Sequence, residues 1–428
     1  MKPIAIDLFC GAGGISEGLI QAGFHIIFSN ELNKDAALTY SERHKQLGLI
    51  QGKNTWLEVS DIKNISGNFI RNKIKNLTDF IKVEEVDLVF GGPPCQGFSR
   101  AGRQNEEDER NFLFKEYLRI ISDIKPKYLV FENVPGILDI KFQNFKSNFD
   151  NEFYGEEDAI KIIMKELKKI GYNTLEPQIL NALNYGVPQN RHRMILIGYR
   201  IGMKKPSYPV LKNTLITVKE ALEDMYTGKI ETFYQKESIN GRTKNLITNL
   251  PIKRESISNN EKTKHNQFVI ERFQLLSMGE SLAKLRRRIL ENGINLSNYD
   301  ALLEQVFQKL KIEKEEIIKI YKNKNIEEKY LDILLTKKTA RVKLNPDKPS
   351  NTIMTLPDDI ISPYDNRIFS VRELARLQSF DDSFIFYGKR TTGSLERKKE
   401  IPQYSQVGNA VPPLLARAIA EEIMKVLQ

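Results

Sequence analysis

Short apolar segments alternate with helix-like segments along the first half of the chain, and this alternation constrains the fold more than any other feature. Strands that alternate with helices pack as a mostly parallel sheet covered by helices on both faces. The pattern therefore predicts a doubly wound α/β domain that binds its ligands at the carboxyl ends of the strands. The predicted strands are residues 4–9, 24–29, 86–90, 128–131 and 194–198, and the predicted helices lie near residues 34–43, 112–124 and 157–170.

The alternation stops after Gly198. Residues 201–260 read as polar loops and short strands, and residues 299–330 read as charged helices with apolar side chains at helical spacing. A last helix, residues 414–427, is predicted to return to the first domain and close it. We therefore predict two domains. Residues 1–200 plus 400–428 form the first, and residues 201–399 form a smaller, irregular second domain with a helical insert near 299–330.

A glycine-rich turn, Cys10-Gly11-Ala12-Gly13-Gly14, joins the first predicted strand to a helix that ends near Gly23. Such a turn is typical of a nucleotide-binding βα unit, although many tight turns without a ligand share it. Glu31 ends the second strand about 20 residues after the first glycine, where a carboxylate can accept hydrogen bonds from ribose hydroxyls. The glycine spacing, with Gly18 next, disfavours NAD. Cys10 is predicted to be a small side chain packed in the turn.

A second turn, Gly91-Gly92-Pro93-Pro94, places Cys95 directly after an apolar strand. The glycines let the backbone bend close to a ligand, and the prolines fix φ and remove two donors. Cysteine is more often a small buried hydrophobe than a reactive group. Because the chain has only two cysteines and one stands in this setting, we interpret Cys95 as functional.

Six motifs in order along the chain resemble those of the cytosine-C5 DNA methyltransferase family. They are DLFCGAGG at 7–14, GGPPCQGFS at 91–99, FENVPG at 131–136, PQNRHR at 188–193, RELARLQSF at 372–380 and QVGNAVPP at 406–413. The resemblance covers about residues 1–200 and 340–428. It implies a Rossmann-like S-adenosylmethionine methyltransferase domain and a smaller, irregular target-recognition domain.

The resemblance assigns the catalytic roles. Cys95 would add as a thiolate to carbon 6 of cytosine, which raises electron density at carbon 5. Glu132, with a pKa raised by burial, would hydrogen-bond N3 of the ring. Arg193 would reach the cytosine and the nucleophile, and Arg191 and Gln189 would support the loop or contact phosphate. Alternation along an extended segment would aim Arg191 and Arg193 at one face.

The resemblance also implies S-adenosylmethionine as the cofactor. Glu31 would hold its ribose, and Asp61 would meet its adenine amino group, although a helix-capping aspartate is common in such a segment. The predicted cofactor contacts are Phe9, Gly11, Gly13, Gly14, Glu31, Asp61, Ile62, Pro93, Leu113, Asn409 and Val411.

Double-stranded DNA is the predicted partner, and a target base inside a duplex must be rotated out before it reacts. Residues 96–111 are polar enough to form a mobile loop, and Gln96, Ser99 and Arg103 in it are predicted DNA contacts. Residues 236–290 carry 12 lysines and arginines against 5 acidic residues. This clustering is typical of a phosphate-binding face, although a solvated surface is an equal alternative. Arg286, Arg287 and Arg288 are the predicted contacts in it.

Composition agrees with a DNA-binding enzyme without deciding the function. The formal net charge is +10, and no apolar run approaches the length of a membrane span. The N-terminus lacks a signal-peptide pattern, and the cysteines and four histidines form no metal motif. We expect a cytoplasmic, nucleoid-associated bacterial monomer without a metal, whose functional partner is a cognate restriction endonuclease.

Three alternatives stay open from the sequence. An RNA cytosine methyltransferase on the same fold is disfavoured by the Pro-Pro-Cys-Gln loop and the large basic insert. A non-catalytic DNA-binding relative would need a lost catalytic residue, and every matched position is present. An NAD oxidoreductase would leave Cys95 and the C-terminal motifs unexplained.

Overall fold

The computed structural model describes residues 2–79, 83, 85–94, 112–212, 214–392 and 400–428. The strands are β1 (Ile4–Leu8), β2 (His25–Glu31), β3 (Trp56–Val59), β4 (Leu88–Gly91), β5 (Tyr128–Asn133), β6 (Lys141–Phe142), β7 (Phe145–Lys146), β8 (Phe153–Tyr154), β9 (Glu157–Asp158), β10 (Tyr172–Thr174), β11 (Gln178–Asn181), β12 (His192–Arg200), β13 (Val342–Lys343) and β14 (Ile360–Ile361).

The helices are α1 (Gly14–Gln21), α2 (Lys34–Gln46), α3 (Gly67–Lys75), α4 (Leu113–Ile124), α5 (Ala159–Lys169), α6 (Val218–Leu222), α7 (Asp224–Thr227), α8 (Phe233–Asn240), α9 (Gln267–Gln274), α10 (Leu282–Asn292), α11 (Asp300–Leu310), α12 (Lys314–Lys322), α13 (Glu328–Leu334), α14 (Val371–Leu377), α15 (Gln403–Asn409) and α16 (Pro413–Leu427). Short 3-10 turns connect some of these elements.

The central sheet has the strand order β3-β2-β1-β4-β5-β12, and β10 and β11 both pair with β12 at the far edge. The first five strands are parallel, whereas β12 runs antiparallel to β5. This arrangement confirms the predicted doubly wound α/β domain. The chain leaves β1 toward β2 on one side, and β4 lies on the other. The order of the strands therefore reverses at β1, and a crevice opens there at the carboxyl ends of β1 and β4.

Helices bury both faces of the sheet because its strands are apolar on both sides. On one face, the core includes side chains of α3, α4 and α5. On the other face, α1 packs against the C-terminal helix α16. A Cβ on Gly18 would lie 2.5 Å from the carbonyl oxygen of Pro413, so only glycine allows this approach. The predicted return of the last helix to the first domain is confirmed.

The structure corrects the reading of residues 201–260. Short strands were predicted, but the described part of this segment contains helices α6, α7 and α8 and no strand. Two capping boxes explain the difference, because Thr217 with Glu220 and Thr232 with Gln235 each satisfy the free donors of a helix N-terminus. The charged helices predicted at 299–330 are present as α11, α12 and the start of α13.

Two further cores lie outside the sheet. Helices α9–α13 pack around one of them, which includes Leu302 and Val306. The other joins α6 and α14 to Tyr404 and Val407 of α15, and it also contains Ala12 of the glycine turn. Residues on both sides of position 400 therefore share one core. The division of the chain into two domains at that position stays a prediction.

Candidate active site

The glycine turn after β1 is folded by left-handed backbone conformations and is tied to the end of β2. Gly11 has a φ of +55° and Gly13 a φ of +105°, and even Phe9 adopts a φ of +59°. Such a φ is uncommon for a residue other than glycine, and strained residues of this kind cluster at functional turns. The amide of Cys10 donates to the carbonyl oxygen of Asn30 at 3.0 Å. A Cβ on Gly11 would meet none of the described residues within 4 Å, so the described part of the chain leaves the space over the turn open.

Glu31 closes this turn from the end of β2. One of its carboxylate oxygens accepts from the amide of Gly11 at 2.9 Å, and the other accepts from the amide of Asn33 at 2.7 Å. Burial raises the pKa of this carboxyl group, and the amide donors oppose the shift. Leu32 follows with 65% of its side chain exposed. Sequence reasoning missed Leu32, because a single apolar residue after a strand carries no distinctive signal.

A buried polar network supports the turn from below. The Ser16 hydroxyl donates to Asp7 at 2.7 Å and lies 2.7 Å from the Tyr40 hydroxyl, which also contacts Ser29. Burial raises the pKa of Asp7 to about 7. A Cβ on Gly13 would lie 3.0 Å from the ring of Tyr40, so the turn rests directly on this ring. This network was not predicted, although an aspartate inside an apolar strand is a detectable signal.

The C-terminal motif forms a second wall beside the turn. A Cβ on Gly14 would lie 2.2 Å from the carbonyl oxygen of Val411, so the start of α1 touches the residues before α16. Asn409 is exposed at the end of α15, and Val411 is buried. The structure thus brings both predicted C-terminal cofactor residues next to the glycine turn.

The remaining predicted cofactor residues lie along the same edge of the sheet. Asp61 follows β3, and its carboxylate accepts from the amide of Lys63 at 3.0 Å, so it caps a 3-10 turn as the alternative reading proposed. Ile62 is buried in the core, and Leu113 is half-buried at the start of α4. Pro93 follows β4, and its carbonyl oxygen accepts from the side-chain amide of Asn133 at 3.2 Å.

Glu132 and Arg193 meet at the carboxyl end of β5. The Arg193 Nε lies 2.8 Å from a carboxylate oxygen of Glu132, and both side chains are largely buried. Burial raises the pKa of Glu132, although the charges of Arg193 and Arg191 oppose the shift. The chain passes directly over the carboxylate, because a Cβ on Gly92 would lie 2.6 Å from its other oxygen. This geometry holds a protonatable carboxyl group beside the turn that leads to Cys95.

Arg191 and Gln189 lie inside the protein. Arg191 is 1% exposed and Gln189 is fully buried, and both donate hydrogen bonds to protein groups. The positive charge of Arg191 opposes the raised pKa of Glu132, but the guanidinium hydrogen bonds of Arg191 go to backbone carbonyl groups, and His192 is exposed. In this arrangement neither Arg191 nor Gln189 reaches phosphate or DNA. Their predicted contacts stay predictions that the geometry does not favour.

The remaining predicted DNA contacts are divided. Gln96, Ser99 and Arg103 lie outside the described residues, as does the predicted nucleophile Cys95.

The three consecutive arginines on α10 are not equivalent. Arg286 pairs with Asp332 at 2.8 Å, and Arg288 pairs with Glu280 at 2.9 Å. Arg287 is exposed, and the paired Arg288 keeps 39% of its side chain exposed. Two of the three predicted phosphate contacts are therefore already engaged by carboxylates. None of the described residues forms a cluster suited to a metal ion, and no helix in the described ranges is long and apolar enough to cross a membrane.

The fold and this edge of the sheet define the class of protein. The chain has a Rossmann-like α/β fold, with a glycine turn and acidic strand end on one side of the crevice and a buried Glu–Arg pair on the other. The sequence profile of the C-5 cytosine-specific DNA methylases matches residues 4–425, and the chain belongs to that family. It is therefore a DNA cytosine-C5 methyltransferase.

Similar proteins support the assignment over the whole chain. Type II methyltransferase M.DdeI of Desulfomicrobium norvegicum is 31% identical, with 98% of this chain and 88% of that protein covered. Type II methyltransferase M.XorII of Xanthomonas oryzae pv. oryzae is 29% identical, with 100% and 86% covered. A crystal structure of a prophage-encoded Escherichia coli protein, described as a DNA modification methyltransferase, superposes with a TM-score of 0.65 at 23% identity, covering 99% of each chain. At that identity the superposition supports the fold.

Proposed function

We propose that this enzyme transfers a methyl group from S-adenosylmethionine to carbon 5 of a cytosine rotated out of duplex DNA. The observation that carries the proposal is the Glu132–Arg193 pair, at the same sheet edge as the glycine turn and beneath the Gly92–Pro94 segment that leads to Cys95. A cofactor and a base bound at this edge would lie side by side.

The residues around the glycine turn fit S-adenosylmethionine. The open space over Gly11 leaves room for a ligand against the backbone, and Glu31 keeps acceptor capacity beyond its two amide bonds. The exposed Leu32 offers an apolar surface for an adenine ring next to that carboxylate. Glu31, Leu32 and the turn from Phe9 to Gly14 would hold the cofactor, with Asn409 and Val411 opposite. When bound, S-adenosylmethionine supplies an electrophilic methyl group.

Side chains of the protein would activate the cytosine for methyl transfer. By the family resemblance, Cys95 adds to carbon 6, and the negative charge moves onto the ring. Glu132, in its acid form, donates a hydrogen bond to N3 and holds that charge. Arg193 orients the Glu132 carboxyl group, and by the family resemblance its guanidinium group would also reach the cytosine. Once carbon 5 carries the transferred methyl group, loss of its proton to solvent and departure of the thiolate would restore the ring.

The biological role follows from the relatives. The similar proteins are type II methyltransferases. We infer that this chain likewise modifies a specific sequence, as part of a restriction-modification system with a cognate endonuclease, in the bacterial cytoplasm. Residues 201–399 would read the target bases, because the motifs that hold the cofactor and the cytosine contain no groups for neighbouring bases. We expect the enzyme to act as a monomer.

Transfer of a labelled methyl group tests this function and separates it from RNA methylation. Duplex DNA should accept the label, and transfer RNA should not. Bisulfite sequencing of DNA from cells that express the protein should then show one methylated sequence. The Cys95→Ser variant should bind duplex DNA and lose transfer, because a hydroxyl is a much weaker nucleophile. Label in transfer RNA alone, or substantial turnover by Cys95→Ser, would contradict the proposal.

Glu31→Ala should weaken S-adenosylmethionine binding by about 1 to 3 kcal/mol, because the change removes charge-assisted hydrogen bonds to ribose. The Gly11 amide would also lose its partner. Isothermal calorimetry measures the affinity. Glu58→Ala is the matched control, because Glu58 lies on the neighbouring strand β3 and its carboxylate pairs with Trp56 instead of the turn. Equal affinities of the two variants would show that Glu31 does not hold the ribose.

A further inference from the structure

Three buried side chains, Gln189, Arg191 and Gln378, form a hydrogen-bonded group that we call the clamp. Gln189 donates to the side-chain oxygen of Gln378, and its own oxygen accepts from the amide of Ile353 at 2.9 Å. Arg191 donates to the carbonyl oxygen of Ile353 at 2.9 Å. All three side chains are at most 1% exposed, so their bonds exchange little with water.

The clamp holds the end of helix α15. The last carbonyl groups of a helix have no partner within it. Here Arg191 donates to the carbonyl oxygens of Gly408 at 2.7 Å and Ala410 at 3.1 Å. Gln378 donates to those of Val407 and Ala410, both at 3.0 Å. A cation at a helix C-terminus is also electrostatically favourable.

The clamp holds residues 408–411, which face the glycine turn. We call these residues the cofactor wall. Asn409 lies between the two carbonyl groups that Arg191 binds, and Val411 follows directly. The carbonyl oxygen of Val411 is in turn the closest approach to Gly14. A shift of residues 408–410 would therefore move both predicted cofactor contacts and loosen the packing against the turn.

The segment that carries Gln189 and Arg191 continues to the Glu132–Arg193 pair. We call the space beside this pair the base pocket, because the cytosine is proposed to bind there. Arg193 follows Arg191 by two residues, about 6.6 Å along an extended backbone, and pairs with Glu132. Strand β12 is paired to β5 over six residues, including Ile195 with Glu132. Arg191 directly precedes β12, which carries Arg193, and β12 is paired to the strand that carries Glu132, so strand pairing links Arg191 to the Glu–Arg pair.

We propose that the clamp is a positioning device that sets the cofactor wall relative to the base pocket. The inference rests on the proposed function, because it assumes that Asn409 and Val411 line the cofactor site. Methyl transfer requires the two reactants at a defined separation, and a misplacement of about 1 Å can cost 10²-fold in rate. Arg191 then acts through the segment it holds and touches neither substrate.

The test compares two buried arginines that differ in what they hold. Arg191→Lys keeps the charge, but an ammonium cannot reproduce the planar fork that spans several carbonyl groups. Arg372→Lys is the matched control. Arg372 is equally buried and also donates to three carbonyl groups, those of Ser258, Asp381 and Phe384, none of which belongs to the cofactor wall. Gln378→Met is a second, milder variant that removes the bonds to Val407 and Ala410.

Calorimetric titration with S-adenosylmethionine, without DNA, is the readout. Arg191→Lys and Gln378→Met should raise the Kd at least tenfold, whereas Arg372→Lys should stay within twofold of the wild type. The Kd for duplex DNA should be unchanged in all of them. If Arg191→Lys does not fold, the comparison of Gln378→Met with Arg372→Lys tests the proposal.

Two outcomes would overturn the proposal that the clamp positions the cofactor wall. One is wild-type affinity for S-adenosylmethionine in Gln378→Met and in folded Arg191→Lys. The other is an equal loss in Arg372→Lys, which would reveal a general effect of weakened packing. A wild-type protein that binds no S-adenosylmethionine would instead overturn the proposed function itself, so the two failures are distinguishable.

Discussion

Glu132→Gln should lower kcat by about 10²- to 10⁴-fold, the usual contribution of a positioned acid or base. An amide can still donate a hydrogen bond to N3, but it has no acidic proton to share with the ring. The glutamine is nearly isosteric, so it should still fit beneath Gly92. Steady-state methylation of duplex DNA at saturating cofactor measures the effect.

The pH dependence gives a second readout for Glu132. Because burial raises its pKa, the acid form persists to higher pH than for an exposed glutamate. Activity that needs this acid falls as the pH rises through the raised pKa, and Glu132→Gln should lack that alkaline limb. Glu166→Gln is the control, since Glu166 is fully buried but accepts from Ser147 and Tyr154 away from the crevice. A normal kcat in Glu132→Gln would remove the carboxyl group from the mechanism.

Arg376→Met should destabilise the fold by about 3 to 5 kcal/mol, the typical cost of breaking a buried ion pair from one side. Arg376 is fully buried, donates to Asp382 at 2.7 Å and 3.0 Å, and pairs with Asp224. Methionine would leave two buried carboxylates with fewer positive partners. Arg254, which also pairs with Asp382 at 2.7 Å, would offset part of the loss.

Urea unfolding followed by circular dichroism measures this free energy. Arg417→Met is the control, because Arg417 pairs with Glu421 on the surface of α16, with 38% and 35% of the two side chains exposed. Exposed pairs of this kind contribute at most about 1 kcal/mol. If both variants unfold at the same urea concentration, the charged cluster around Arg376 does not stabilise the protein.

Five strands of the central sheet could be predicted because their signals are local, whereas β3, β10 and β11 were not predicted. Apolar runs such as Ile4–Leu8 and Tyr128–Asn133 are strands in almost any buried context. The glycine turn and Glu31 are likewise close in sequence, and the structure joins them through the Gly11 amide. The helices of residues 201–260 were missed because the capping boxes that begin them are short and the helices themselves have only four to eight residues.

The roles of the arginines could not be predicted in the same way. Nothing in the sequence distinguishes the three consecutive arginines Arg286, Arg287 and Arg288. In the folded protein, however, Arg286 pairs with Asp332 and Arg288 pairs with Glu280. Arg191 and Arg193 alternate correctly along their segment. Even so, Arg193 meets Glu132, whereas Arg191 is committed to carbonyl groups more than 160 residues away in sequence.

By itself, the sequence determined the type of residue at the end of each predicted strand and the succession of those strands along the chain. It therefore predicted the α/β class, the family and the carboxylates at Glu31 and Glu132. Only the tertiary structure decided which charged groups are solvated and which form ion pairs or hydrogen bonds within the protein. Burial and ion pairing depend on residues that are distant in sequence and meet only after folding. For that reason, the sequence alone did not predict the buried network at Asp7, the exposure of Leu32 or the clamp formed by Gln189, Arg191 and Gln378.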